Sequence, residues 1–228
     1  MTTVVELQVE LDGGSVSALL QRPPDAWLLY VLAHGAGAGM RHSFLESTSA
    51  ALAGRGVATM RYQFPYMEAG GRRPDSPAVA EATVRAAVTR AAAAAPELPM
   101  IAGGKSFGGR MTSGAAATSL PGVRGVAFLG FPLHPPGRPG TRRADHLVRV
   151  ELPMLFLQGT RDQFAQADLI TGVCQRLGGR ATLHPVEGAD HSFGVPKSSG
   201  RTPAQVLTEL ADTLVVWARS RVLGQTRQ

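Results

Sequence analysis

The chain has 228 residues, of which 44% are hydrophobic and 18% charged, and its formal net charge is +6. That balance excludes a disordered chain, and the length buries enough surface to fold without disulfide or metal staples. The lone Cys174 can close no internal disulfide and cannot build a zinc site, and the longest apolar run, Ala26 to Ala33, is far too short to span a bilayer.

In chain order, Val4 to Leu11 and Val16 to Gln21 flank the turn residues Asp12-Gly13-Gly14 and predict an antiparallel hairpin. Trp27 to Ala33 is a continuous apolar run ending at His34-Gly35, as expected of a buried central strand. Ser43 to Ala53 reads as a helix capped by Ser43, with Glu46 completing a capping box and Gly54 ending it. A strand is predicted over Val57 to Tyr62, a helix over Ala78 to Ala95 and a strand over Pro99 to Gly103. Phe107 to Leu120 reads as a helix, Val123 to Phe131 as a strand, Met154 to Gln158 as a strand and Phe164 to Leu177 as a helix. Ala181 to Val186 is the last strand, and Pro203 to Val222 a final helix with Thr202 as its cap.

A hairpin followed by alternating strands and helices predicts an α/β fold, with a mostly parallel central sheet and helices on both faces. The chain shows no internal repeat and no dividing linker, so a single domain is expected over residues 1–228. Residues 132–152 hold four prolines and little periodicity. They read as a short cap-like segment over the carboxyl edge of the sheet, where catalytic groups of such folds gather. The N-terminus has no basic stretch followed by an apolar one, so no signal peptide and a cytoplasmic protein are expected. The basic residues are almost all arginine and scattered, with no run of five like charges and few aromatic residues for stacking. Nucleic-acid binding is therefore not expected.

Gly104-Lys105-Ser106-Phe107-Gly108 fits G-x-S-x-G, with an apolar strand before it and a helix after it. Such a turn lifts the serine hydroxyl above the sheet, and small residues on either side let strand and helix approach. A phosphate-binding loop is excluded, because its first glycine would fall at Pro99. A serine needs a base to take its proton, and here the order along the chain should be Ser, acid, His. His34 and His42 precede Ser106, and His134 precedes any suitable acid. His146 has no acidic loop before it, and His184 falls inside a strand. His191, in the loop after the last strand, remains. Asp162, after the strand Met154 to Gln158, is the candidate acid, with helix capping as its competing role and Asp190 ranked behind it. The amides of Phe107 and Ala36 are the candidate oxyanion donors, and Gly37 is a further possibility in the same small-residue loop, His34-Gly-Ala-Gly-Ala-Gly39. A dinucleotide fingerprint fails there, since its third glycine would be Met40 or His42.

These stretches resemble the α/β-hydrolases, on the side of small enzymes such as dienelactone hydrolase. They are more closely similar to a group of compact members that also includes a subunit of the animal NSL chromatin complex. The resemblance is carried by His34-Gly-Ala-Gly37, Phe64-Pro-Tyr-Met-Glu68, Gly71-Arg-Arg-Pro-Asp75 and Gly103-Gly-Lys-Ser-Phe-Gly-Gly-Arg110. It continues through Phe131-Pro-Leu-His-Pro-Pro-Gly137, Gln158-Gly-Thr-Arg-Asp162 and Gly188-Ala-Asp-His-Ser-Phe193. It implies Ser106, Asp162 and His191 as a catalytic triad. Lys105, the residue before the nucleophile, departs from the wider pattern, where an uncharged or aromatic residue is common.

The expected activity is hydrolysis of carboxylic esters of small to medium size, without cofactor or metal. The expected partner is a small-molecule ester, with no nucleic acid and no membrane. Lys105, Gly35 and Gly37 are the expected substrate-binding residues. Lys105, Arg110 and Arg61 would favour an anionic substrate unless they pair with acids inside the protein. The competing expectation is a non-catalytic binding or scaffold protein on the same fold.

Overall fold

The computed structural model describes residues 2–224. Strands β1 (Thr3–Leu11) and β2 (Gly14–Arg22) form the N-terminal hairpin, and β3 (Leu28–Ala33) follows. Helix α1 (Ser43–Ala53), β4 (Val57–Tyr62), the short α2 (Pro65–Glu68) and α3 (Pro77–Ala94) lead to β5 (Met100–Lys105) and α4 (Phe107–Ala116). Strand β6 (Val123–Leu129) leads through a 3-10 segment, Arg142–Arg149, to β7 (Met154–Gly159), α5 (Ala167–Leu177), β8 (Ala181–Val186) and α6 (Pro203–Trp217).

The eight strands form one sheet in the order β1-β2-β4-β3-β5-β6-β7-β8. The pairs β1–β2 and β2–β4 are antiparallel, and the others are parallel. Alternation along β3 divides the core. Leu29, Val31 and Ala33 face the side covered by α3, α4 and α5, while Leu28, Tyr30 and Leu32 face α1 and α6. The chain leaves β3 toward β4 on one side and later returns to β5 on the other. The carboxyl ends of β3 and β5 therefore lie side by side where the strand order reverses, a position that opens a crevice.

Several element ends differ from the sequence expectation, and side-chain bonds explain most of them. Helix α1 is capped by His42, whose Nδ1 accepts the Phe44 N–H at 3.2 Å, so Ser43 is the first helical residue and not the cap. Strand β6 stops at Leu129 because Gly130, with φ 71°, turns the chain and Phe131 N–H bonds to Gln158. Helix α5 starts at Ala167, not Phe164, because the Phe164 carbonyl already accepts from the Leu133 and His134 amides. Helix α4 ends at Ala116, short of Leu120, as the chain tightens into a turn on the Ala115 carbonyl. Helix α6 stops at Trp217 and continues to Leu223 as a π-type turn. The short α2 and the 3-10 segment are too brief or too irregular to leave a periodic pattern. Thr202 caps α6 in a full capping box with Gln205. Among the described residues no helix is long and apolar enough to cross a membrane.

Candidate active site

Ser106 sits between β5 and α4 with φ 49° and ψ −112°, a backbone conformation that a non-glycine residue rarely adopts. Such strain persists only where the surroundings enforce it. Here the Ser106 amide donates to Leu129 O and its carbonyl accepts from Arg110 N–H, at 3.1 and 3.0 Å. Two glycines make the turn possible. A Cβ on Gly104 would lie 2.4 Å from the Ala33 carbonyl oxygen, and one on Gly108 would lie 2.5 Å from that of His34. The turn is therefore pressed directly against the end of β3.

His191 Nε2 lies 2.8 Å from Ser106 Oγ, and its Nδ1 lies 2.7 Å from Asp162 Oδ2. A carboxylate only accepts, so Nδ1 carries the ring proton and Nε2 is free to accept from the serine hydroxyl. The Asp162 side chain is fully buried. Three donors meet it: His191, Gln158 Nε2 at 2.6 Å, and the Phe164 amide at 2.8 Å on Oδ1. A buried carboxylate requires such compensation. One oxygen thus meets the imidazole while the other accepts the Phe164 amide in the turn before α5; the cap position of α5 is Gln166, so Asp162 does not cap that helix. Asp190 faces elsewhere: its Oδ1 accepts the Ser192 and Gly194 amides within its own loop. The Phe164 ring packs on the His191 ring at 4.3 Å between centroids.

The other five histidines sit outside this chain of bonds. His184 is a half-buried strand residue paired with Glu209 at 2.8 Å. His146 meets Ser113 Oγ at 2.7 Å, and His42 caps α1. His134 is buried beside Pro135, with its Nδ1 2.9 Å from that carbonyl. His34, completely buried, has a structural part that its position in the sequence does not disclose. Its Nε2 accepts the Phe64 N–H at 3.1 Å, so its Nδ1 donates to the Gly35 carbonyl at 2.8 Å. Burial pushes its pKa down to about 4, which keeps the ring neutral.

The loop after β3 closes the site from the opposite side. Gly35 is buried against the turn, with room for a Cβ only at contact distance from Lys105 and Ser106. Ala36 and Gly37 are exposed, and Gly37 has φ 76°. Gln63 accepts the Met40 amide at 2.9 Å, and Arg61 donates to the Met40 carbonyl at 3.0 Å. Arg61 also lies 3.7 Å from Glu46, so its charge is paired inside the protein and does not face the crevice. Lys105 likewise turns away from solvent. Its Nζ donates to the His191 carbonyl at 2.6 Å and lies 5.5 Å from the Phe193 ring centre. Burial pushes its pKa down to about 8, opposed by Asp162 and Asp190. Phe193 in turn stacks on Phe44, fixing the His191 loop to α1. Gln158, His34 and Phe164 are the site residues that sequence reasoning missed. Of these, Gln158 and His34 stand inside stretches that carry the resemblance, without a role assigned to them, and Phe164 does not. Among the described residues no group of three or more histidine, cysteine or acidic side chains is placed to hold a metal ion.

Residues 26–219 match the family model described as an alpha/beta hydrolase domain. Among solved structures, the chain is similar to a dienelactone hydrolase from Anabaena variabilis. The two are 17% identical, with 97% of this chain and 99% of that one covered and a TM-score of 0.77. An alpha-beta serine hydrolase homologue from Coxiella burnetii is 20% identical over 94% and 97%, with a TM-score of 0.73. An esterase domain of a Rhodothermus marinus protein is 20% identical over 96% and 99%, with a TM-score of 0.71.

Proposed function

The chain belongs to the alpha/beta hydrolase domain family, and from that premise we propose that it is a serine hydrolase acting on carboxylic esters of small to medium size. The observation that carries this reading is the unbroken chain Ser106 Oγ, His191 Nε2, His191 Nδ1, Asp162 Oδ2, with links of 2.8 and 2.7 Å, standing over a strained turn. In this reading Ser106 Oγ attacks the ester carbonyl carbon while its proton passes to His191 Nε2. The carbonyl oxygen becomes an oxyanion held by the amides of Phe107 and Ala36. Gly35 and Gly37 keep side chains away from that position. His191 then returns its proton to the departing alkoxide, leaving an acyl-serine. A water molecule, deprotonated by His191, attacks the acyl carbon and releases the acid and the free serine. Asp162 holds the imidazole in the required tautomer and stabilises the imidazolium. Lys105 acts on the His191 loop through its bond to the carbonyl, in place of the substrate contact expected from sequence. No cofactor enters these steps.

A fluorophosphonate probe tests the reading without knowledge of the natural ester. It should label the intact protein at Ser106, with labelling and aryl-ester turnover both abolished in Ser106→Ala. A folded protein that neither reacts with the probe nor hydrolyses any activated ester would instead be a non-catalytic member of the fold.

A further inference from the structure

Alongside α4, away from Ser106, lies a cavity of about 660 Å³ walled by α3, α4 and the segment between β6 and β7. That size suits a small molecule. Five guanidinium groups converge on it: Arg110, Arg138, Arg142, Arg143 and Arg149. None of them has a hydrogen-bond or ion-pair partner among the described residues. Elsewhere several arginines are paired with carboxylates, as in Arg22–Glu97, Arg41–Glu6, Arg55–Asp212 and Arg201–Glu209. The one carboxylate in the cavity wall is Glu81, which lies 3.6 Å from Arg85. Asp145, on the 3-10 segment, is exposed and acts only weakly, as a minor influence on His146.

These like charges act on one another. Arg143 lowers the pKa of Arg110 in addition to burial, and Arg149 and Arg110 do the same to His146. Glu81 opposes the effect on Arg110, but five cations around one carboxylate still leave an excess of positive charge, whose repulsion a bound anion relieves. A second polar group at the same wall is also unsatisfied: His134, 3% exposed, leaves its Nε2 without a partner. Five forked donors against one carboxylate exceed what a single carboxylate ligand can neutralise, and a phosphate group, with up to about two negative charges and three acceptor oxygens, offsets more of the excess.

The cavity is tied to the catalytic edge from both walls. Arg110 N–H donates to the Ser106 carbonyl, one helical turn from the nucleophile. The Leu133 and His134 amides donate to Phe164 O at 2.8 and 3.1 Å, and the Phe164 ring packs on His191. His146 pins the arginine segment to α4 through Ser113. We infer that this cavity binds a phosphate group carried by the substrate, set about 5–10 Å along α4 from the scissile carbonyl. The inference rests on the ester-hydrolase reading for the word substrate, but the cavity's affinity for phosphate does not.

Two measurements keep the claims apart. Inorganic pyrophosphate is titrated calorimetrically into the full chain and into an Arg110→Gln/Arg143→Gln variant. The rates of 4-acetoxyphenyl phosphate and 4-methoxyphenyl acetate hydrolysis are then compared, since these aryl acetates differ in the anionic group. Expected are pyrophosphate binding that weakens at least tenfold in the double variant, and a kcat/KM ratio favouring the phosphate ester by about tenfold or more that falls toward one in the variant and with added salt. A ratio near one in the native chain, or pyrophosphate binding unchanged by the substitutions, overturns the inference and leaves the hydrolase reading standing. Pyrophosphate binding lost in the variant, with neither ester hydrolysed, keeps the phosphate cavity and removes the hydrolase. Tighter binding of a single-stranded oligonucleotide than of pyrophosphate at equal salt would overturn the small-molecule assignment.

Discussion

The two segments that flank Ser106 are built on opposite principles. Residues 34–40, after β3, are held by side chains bonded within the protein: neutral His34, the Gln63 amide on the Met40 N–H, and Arg61, which donates to the Met40 carbonyl and lies 3.7 Å from Glu46. Residues 132–149, after β6, carry Arg138, Arg142, Arg143 and Arg149, none of which has a partner among the described residues. The contrast follows from the work each would do. Amides that stabilise an oxyanion help only if they do not move as charge develops. Side chains that capture a charged ligand help only if nothing in the protein has already captured them. Arginine charge is therefore paired with a carboxylate on one side of the nucleophile, at Arg61–Glu46, and left without an ion pair among the described residues on the other.

The harshest way to break this arrangement is at the imidazole between the two segments. Asp162→Asn should lower kcat on a neutral aryl ester on the order of 10⁴-fold, because the amide favours the wrong tautomer. Asp190→Asn should cost only a few-fold, since its carboxylate serves its own loop. Side-by-side kinetics giving the reverse ranking would move the acid to Asp190. Next comes the contact that sets the satisfied segment against the serine turn. Gly108→Ala places a methyl 2.5 Å from the His34 carbonyl oxygen and should displace the loop. A shift near 1 Å at such a site costs about 10²-fold in rate, so kcat should fall by that order while circular dichroism still reports a folded chain.

A smaller effect sharpens the contrast by pH. The His34 pKa is held at about 4, below its ordinary 6.5, so as pH falls the unfolded chain takes up a proton first. The stability that His34 contributes is complete above about pH 6.5 and is lost as pH falls toward about 4. Urea melts at pH 7, 5.5 and 4.5 should show native stability dropping relative to His34→Gln. Parallel curves would mean that the ring is not buried and neutral. The smallest effect belongs to the other segment. Arg142→Gln and Arg149→Gln remove exposed charges that contact no acid, and each should change the unfolding free energy by about 0.5 kcal/mol or less.

Much of this was legible in the sequence where a run of residues decides its own fate. The apolar stretch of β3, the Val57–Tyr62 strand and the Thr202 cap are local decisions, and they were read correctly. The topology also brings Ser106, Asp162 and His191, on the loops after β5, β7 and β8, within hydrogen-bond reach of one another. What escaped depends on partners far along the chain. Where β6 and α5 begin or end is set by Gln158, Leu133 and His134 reaching across strands. Lys105 points to the carbonyl of His191, 86 residues away, and no pattern around Lys105 encodes that. The arginines of residues 138–149 read as scattered surface charge because their convergence with Arg110 exists only once α4 and the segment pack together.

The contact between Gly104, Gly108 and the end of β3 has an implication for remodelling this cleft. It is backbone against backbone, with Ala33 as its one side chain, so it offers no side chain to trim and no space to fill. Libraries that vary residues 33–37 or 104–108 would be expected to yield mostly dead or unfolded clones. In the proposed reading, diversity placed at 138–149 would change what the cleft accepts without altering how the serine is activated. On that reading selectivity and reactivity are separate design variables, assigned to different stretches of chain.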